Sequence, residues 1–392
     1  MKNRMKKILT LAVAGCMVCS LAACGNSGSG ESTEEEEVTE AEPAEEEGTE
    51  VDVVVEEEPD EEEGSAHAGE PVEDTGVVYK VGICNYVNDP SLEQIENAIG
   101  AELDAQGPEL GVTFSYEDYS FNGQGDQTNL NSIGAQLVAE DVDIIVAIAT
   151  PTALVMQNAT ADTDIPVVFS AVSDPVGSDL VASMDEPGGS ITGTSDALAT
   201  EDIFDIILAL DPDVTNVGLL YDSSQDSSTQ AIADAKAYLD EAGITYTEKT
   251  GTTTDDLSLA ADSLIASGCE VVFTPTDNTV QVAEPSIYQK FIDAGVKHYC
   301  GADSFALVGA FCGYGVDYEN LGTMTADMVI DILFGEQDPA TTPVMTFDNG
   351  KASINTDTCE ALGLDYDEIS ETIAPLCTAV EPLTTSTSFD EE

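Results

Sequence analysis

The sequence predicts an α/β protein of two lobes, each a mostly parallel sheet wrapped by helices and joined to the other by crossover strands. Apolar runs of strand length alternate, from Val77 onward, with segments whose apolar residues recur at helical spacing. The strand runs fall into two series, and about 300 residues is the size at which a single core stops growing and a chain divides.

The first series reads as strands at 79–84, 112–116, 143–149, 166–171 and 191–194. The second reads as strands at 216–221, 245–248, 270–274, 298–301 and 311–316. Between them, Leu92, Ile95, Ile99 and Leu103, or Leu130, Ile133 and Leu137, stand on single helix faces. Ser91 and Gln94 have the spacing of a capping box, and Gly107, Gly243, Gly268 and Gly295 sit where helices should stop. The turn Glu186-Pro187-Gly188-Gly189, leading into 191–196, predicts the first crossing between lobes, with later crossings near Asp317-Tyr318 and 347–349. Within a folded part at 76–392, lobe one is therefore expected at about 77–193 plus 318–347, and lobe two at about 194–317 plus 348–375.

The N-terminal segment has a different character. Lys2, Arg4, Lys6 and Lys7 precede an apolar run at 8–18 and the string Leu21-Ala22-Ala23-Cys24. That pattern predicts a secretory signal over 1–23 ending in a lipobox, with Cys24 acylated and the protein anchored outside the cytoplasm, not spanning the membrane. No later apolar run approaches the roughly 18–20 residues that a span requires. Residues 24–75 are Glu-rich and of low complexity, and cannot bury enough apolar area to fold. They are expected to be a disordered tether, extended by like-charge repulsion beyond the ~40 Å of a neutral coil.

Composition then excludes several functions. The formal net charge is −67 and the only arginine is Arg4, inside the signal, so no Lys/Arg surface exists to displace counterions from nucleic acid. A bound carboxylate has no guanidinium to pair with and must be held by backbone N–H groups and hydroxyls. Of nine cysteines, Cys16 and Cys19 belong to the signal and Cys24 to the lipobox. Cys84, Cys269, Cys300, Cys312, Cys359 and Cys377 lack metal-ligand spacing and read as buried small hydrophobes, with Cys300–Cys312 or Cys359–Cys377 disulfides as the lesser alternative. His67 and His298 are the only histidines, which leaves no base for a nucleophilic triad and no histidine-rich metal site. No phosphate-cradling loop occurs either, so neither catalysis nor a cofactor is expected.

A ligand in such a fold binds beyond the carboxyl ends of the strands. The residues there are Asn85 and Tyr86, Thr150-Pro151-Thr152, Ser173-Asp174-Pro175, Tyr221-Asp222, Thr276-Asp277-Asn278 and Asp303-Ser304. Thr150 and Pro151 mark a helix start able to receive an anion, although Thr150 capping its own helix explains the same residues. Asp222, Asp277 and Asp303 suit an ammonium group, against the alternative that each merely caps a helix. One pole of each kind describes an α-amino acid, with Thr150, Thr152 and Ser173 on the carboxylate and Asp277 or Asp303 on the ammonium. Tyr86, Tyr221, Phe305 and Tyr314 are available to flank an apolar side chain.

Residues 143–153 (DIIVAIATPTA), 166–177 (PVVFSAVSDPVG), 193–198 (GTSDAL), 216–221 (NVGLLY) and 315–322 (GVDYENLG) together resemble the ABC transporter substrate-binding proteins of the tryptophan/tyrosine type. The resemblance covers roughly 79–364. It implies the type I periplasmic-binding fold, two Rossmann-like lobes that close on a solute, and a monomer that delivers it to a permease and its ATPase. It also brings Asp226 and Ser227 into the site, where Asp226 departs from the asparagine common in relatives and adds negative charge. Two alternatives share this build: a receptor for a sugar or nucleoside, and a surface sensor without transport.

Overall fold

The computed structural model describes residues 75–389, so the signal, Cys24 and the acidic tether lie outside the described residues. β1 (Val77–Asn85) leads into α1 (Pro90–Leu110). Asp89, not Ser91, caps this helix: its Oδ1 accepts the Leu92 amide at 3.0 Å, and Pro90 holds the first helical position. The helix also runs past Gly107, which is buried because a Cβ there would meet the Val112 carbonyl oxygen at 3.2 Å. It stops at Gly111, whose φ of 68° is the left-handed conformation that glycine adopts at little cost.

The first lobe continues through β2 (Val112–Ser115), β3 (Ser120–Asn122), α2 (Gln127–Ala139), β4 (Ile144–Ile148), α3 (Thr150–Thr160), β5 (Val167–Ser170) and β6 (Ile191–Ser195). The second holds α4 (Thr200–Leu210), β7 (Asn216–Tyr221), α5 (Asp226–Ala242), β8 (Thr245–Thr250), α6 (Thr254–Ala266), β9 (Val271–Thr274), α7 (Asn278–Ala294), β10 (Lys297–Cys300), α8 (Asp303–Leu307) and β11 (Cys312–Gly315). The chain returns to the first sheet with α9 (Tyr318–Leu333) and β12 (Met345–Thr346). It ends in the second with β13 (Lys351–Asn355), α10 (Thr356–Leu362), α11 (Tyr366–Ile373) and β14 (Ala379–Leu383).

The first sheet has the order β12-β6-β5-β4-β1-β2, with β3 also on β1, and all its pairs are parallel. The second has the order β14-β13-β11-β10-β9-β7-β8, parallel except between β11 and β13. Helices cover both faces, so the central strands read as unbroken apolar runs: all five residues of β4 and all four of β9 are buried. β6 carries Thr194 and Ser195 in the first sheet, beyond the expected limit at 193. The sequence reading passed over β3, β12, β13 and β14, which are short, polar or proline-containing and pair near sheet margins.

The six described cysteines are free thiols, five of them buried, and neither alternative disulfide forms. Burial pushes the Cys84 thiol up to about 12.

Candidate functional site

The carboxyl ends of the two sheets face one another across a half-open cavity with about 390 Å³ of space between the walls, open solvent included. Helices α1 and α3 from the first lobe, α5 and α7 from the second, and α9, whose first residue Tyr318 lines the cavity, begin at this cleft, and their starts are closed in two different ways. α1 and α7 are closed by carboxylates: Asp89 on the Leu92 amide, and Asp277 Oδ1 on the Thr279 and Val280 amides at 3.0 and 2.9 Å.

α3 and α5 have no side-chain cap. Their N-cap residues are Ala149 and Gln225, and the two helices touch across the cleft. Thr150, expected to cap α3, sits one residue inside it. Its Oγ1 is buried without a partner, as are Ser227 Oγ on α5 and Gln281 Oε1 on α7, and all three residues line the cavity. A buried polar atom left unpaired costs about 1–3 kcal/mol, so three around one cavity mark where ligand atoms belong. The backbone is strained at the same place: Ala149 and Ala171, which follow β4 and β5 and line the cavity, have φ of 74° and 54°. A side chain bearing a Cβ rarely adopts that region outside functional sites.

Acids line the same cavity. Asp89, Asp196 and Asp277 line the cavity, and among the described lining residues there is no lysine, arginine or histidine. Burial raises the Asp89 carboxyl from 3.8 to about 7, against the Leu92 amide that lowers it and the nearby Asp303 that raises it further. Burial likewise raises Asp277 to about 6, opposed by the Ser228 hydroxyl and two backbone amides. Asp196 is raised by burial, while Ser173 Oγ at 2.9 Å and Tyr318 Oη at 3.3 Å donate to its two oxygens.

The sign of the linkage follows. Between roughly pH 4 and 7 the folded protein holds protons on Asp89 and Asp277 that the unfolded chain has released, so stability falls as pH rises through that window. Thermal melts of the empty protein are expected to drop over this range, and Asp89→Asn to flatten the slope. An unchanged slope in the variant would remove Asp89 from this account.

Of the residues expected from sequence, the cavity brings together Thr150, Ser173, Ser227, Thr276, Asp277 and Asn278. Asp277 is there with its carboxylate committed: besides capping α7, its Oδ2 accepts from the Asp222 amide and Ser228 Oγ at 2.7 and 2.6 Å. Asn85 turns away, its Nδ2 donating to Glu96 at 3.0 Å inside the first lobe. Thr152 is buried in α3 off the cavity, and Asp174 closes its own turn by accepting the Gly177 amide at 2.8 Å. Asp222 is spent on Ser224 and Thr279, and Asp226 is exposed; with Tyr86 they border the mouth of the cleft. Asp303 lies behind the cavity wall, bonded to Ser91. Of the four aromatics only Phe305 lines the cavity, since Tyr221 and Tyr314 point to Glu248 and Asp202.

Sequence reasoning missed Asp89, Ser91, Asp196, Gln281 and Tyr318. Two signals were present: Asp89-Pro90 is a helix start just beyond the first strand, and Asp196 stands within the GTSDAL string at the first crossing.

Comparison with known proteins accords with this geometry. The family model described as ABC transporter substrate binding protein matches residues 80–374. A tyrosine-binding protein of Clostridioides difficile is 30% identical over 284 residues, 72% of this chain and 81% of the relative. An ABC domain from Streptococcus pneumonia solved in complex with L-Trp is 32% identical, covering 77% of this chain and 99% of the other at a TM-score of 0.69. The ligand-free, open structure of a Clostridium difficile substrate-binding protein with adhesive properties is 27% identical, covering 79% and 100% at a TM-score of 0.60. With a cleft between two parallel sheets, unpaired polar atoms aimed into it, and a family match running through both lobes, the chain belongs to the ABC transporter substrate-binding protein family.

Proposed function

We propose that the protein captures an aromatic α-amino acid between its lobes and hands it to the permease of an ABC importer. The observation that carries this reading is the asymmetry of the helix starts around the cavity. The bare N-termini of α3 and α5, with Thr150 and Ser227 hydroxyls unpaired, form a pole for the carboxylate. Asp89 and Asp196 form a pole for the ammonium. Leu92, Phe305 and Tyr318 supply apolar surface for the side chain. The tyrosine- and tryptophan-binding relatives support an aromatic one.

Substrate-binding proteins of ABC importers work outside the cytoplasm, and the lipobox supports anchoring at the membrane by a lipid on Cys24. Calorimetry against the twenty amino acids tests the ligand, with heat expected for tyrosine, tryptophan or phenylalanine. Tyramine, which lacks the carboxylate, is expected to bind at least about 100-fold more weakly than tyrosine, because it leaves the α3–α5 pole unpaired. Silence toward every amino acid, or equal affinity for tyramine, defeats the reading.

A further inference from the structure

We infer that the Ser91–Asp303 hydrogen bond is a closure latch, a positioning pair that holds the lobes together beside the ligand without Asp303 touching it. The inference rests on the two-lobed clamp described above. Ser91 lies in the first turn of α1, in the first lobe, and Asp303 begins α8, in the second. Ser91 Oγ donates to Asp303 Oδ1 at 2.9 Å, and both residues are buried. Ser91 is free for this because Asp89 has taken over the cap of α1.

Asp303 does not line the cavity, although its neighbours Ala302, Ser304 and Phe305 do. Its electrostatic surroundings belong to the crossings instead. Burial raises the Asp303 carboxyl, Lys351, first residue of β13 after the third crossing, opposes that rise, and Asp317 at the second crossing adds to it. A carboxylate so placed acts on the equilibrium between open and closed lobes. Opening separates it from Ser91 and returns both groups to water, so the net contribution to closure is that of one exchanged hydrogen bond, on the order of tenfold. A second bond across the cleft, between Ser173 Oγ and Thr276 Oγ1 at 3.0 Å, joins two residues that both line the cavity, whereas in the latch pair Ser91 lines it and Asp303 does not.

The test compares Ser91→Ala, Asp303→Ala, their double variant and Asp303→Asn. The chain contains no tryptophan, so the fluorescence of L-tryptophan reports its binding and release directly. Ser91→Ala and Asp303→Ala are each expected to speed release about tenfold with little change in the association rate. The double variant should be no worse than either single one. Asp303→Asn keeps an oxygen that accepts the Ser91 hydroxyl and should stay within about twofold of the parent. Loss in Asp303→Asn as large as in Asp303→Ala overturns the latch, because it assigns the charge to the ligand's ammonium; additive losses in the double variant overturn it too. If the parent binds no tryptophan, the proposed ligand fails, and X-ray scattering of the unliganded proteins still decides the latch. A larger radius of gyration in Ser91→Ala supports it, and an unchanged one overturns it.

Discussion

Asp89→Asn is expected to weaken binding of an aromatic amino acid by about 100-fold or more while leaving the fold intact. Asparagine caps a helix as well as aspartate does, so the bond to the Leu92 amide survives and α1 still starts at Pro90. What disappears is a negative charge on a buried residue of the cavity wall. Truncating one partner of a buried, hydrogen-bonded charge pair costs about 2–5 kcal/mol, most of it from leaving the other charge unpaired. Calorimetry at pH 8 measures this cleanly, since Asp89, raised to about 7, is then mostly ionised in the parent. Affinity within threefold of the parent would give the ammonium to Asp196, whose oxygens already hold Ser173 and Tyr318.

Glu284→Ala is expected to lower the unfolding free energy by about 3–5 kcal/mol, the cost of removing one member of a buried ion-pair-like contact. Glu284 on α7 is wholly buried, and its Oε1 lies 3.0 Å from His298 Nδ1 on β10. Thr274 Oγ1 gives its proton to the Leu220 carbonyl at 2.9 Å and therefore accepts from His298 Nε2 at 2.9 Å. The Phe291 ring, 4.9 Å from the imidazole between centroids, closes the remaining side. With Glu284 gone, Nδ1 loses its partner in a place without water, and α7 loses a tie to the sheet that carries it. Urea denaturation with ligand absent reads the effect as a lower midpoint at unchanged slope. A shift below 1 kcal/mol would mean that water fills the gap and pairs the ring.

The two-lobed architecture was legible because strands covered on both faces must be apolar throughout, and runs such as Ile144–Ile148 and Val271–Thr274 announce themselves. Of the strands that escaped notice, β12 and β14 lie at sheet edges, where no such run is required, while β13 is buried but interrupts its apolar residues with Ser353 and Asn355. About half of the expected site was also legible, because residues following these runs, Thr150, Ser173 and Thr276 among them, are carried to the cleft by the strands themselves. Which way the expected aspartates turn was not legible. An aspartate beyond a strand can turn its oxygens toward the cleft or toward its own helix, and Asp222 and Asp277 chose amides and hydroxyls of their own lobe.

The linear order of residues therefore determined the layering, the number of lobes and the chemistry available: no guanidinium after Arg4, few bases and many carboxylates. Burial period and composition are local properties, readable within one stretch of chain. Which carboxylates stay unspent, which helix starts stay bare and which serine reaches across to Asp303 were decided only in three dimensions. Each depends on partners scores to hundreds of positions away, as Ser91 and Asp303 do at a separation of 212. Hydrogen bonds are short-ranged and saturable, so a side chain's role is settled by whichever neighbour folding brings to it first.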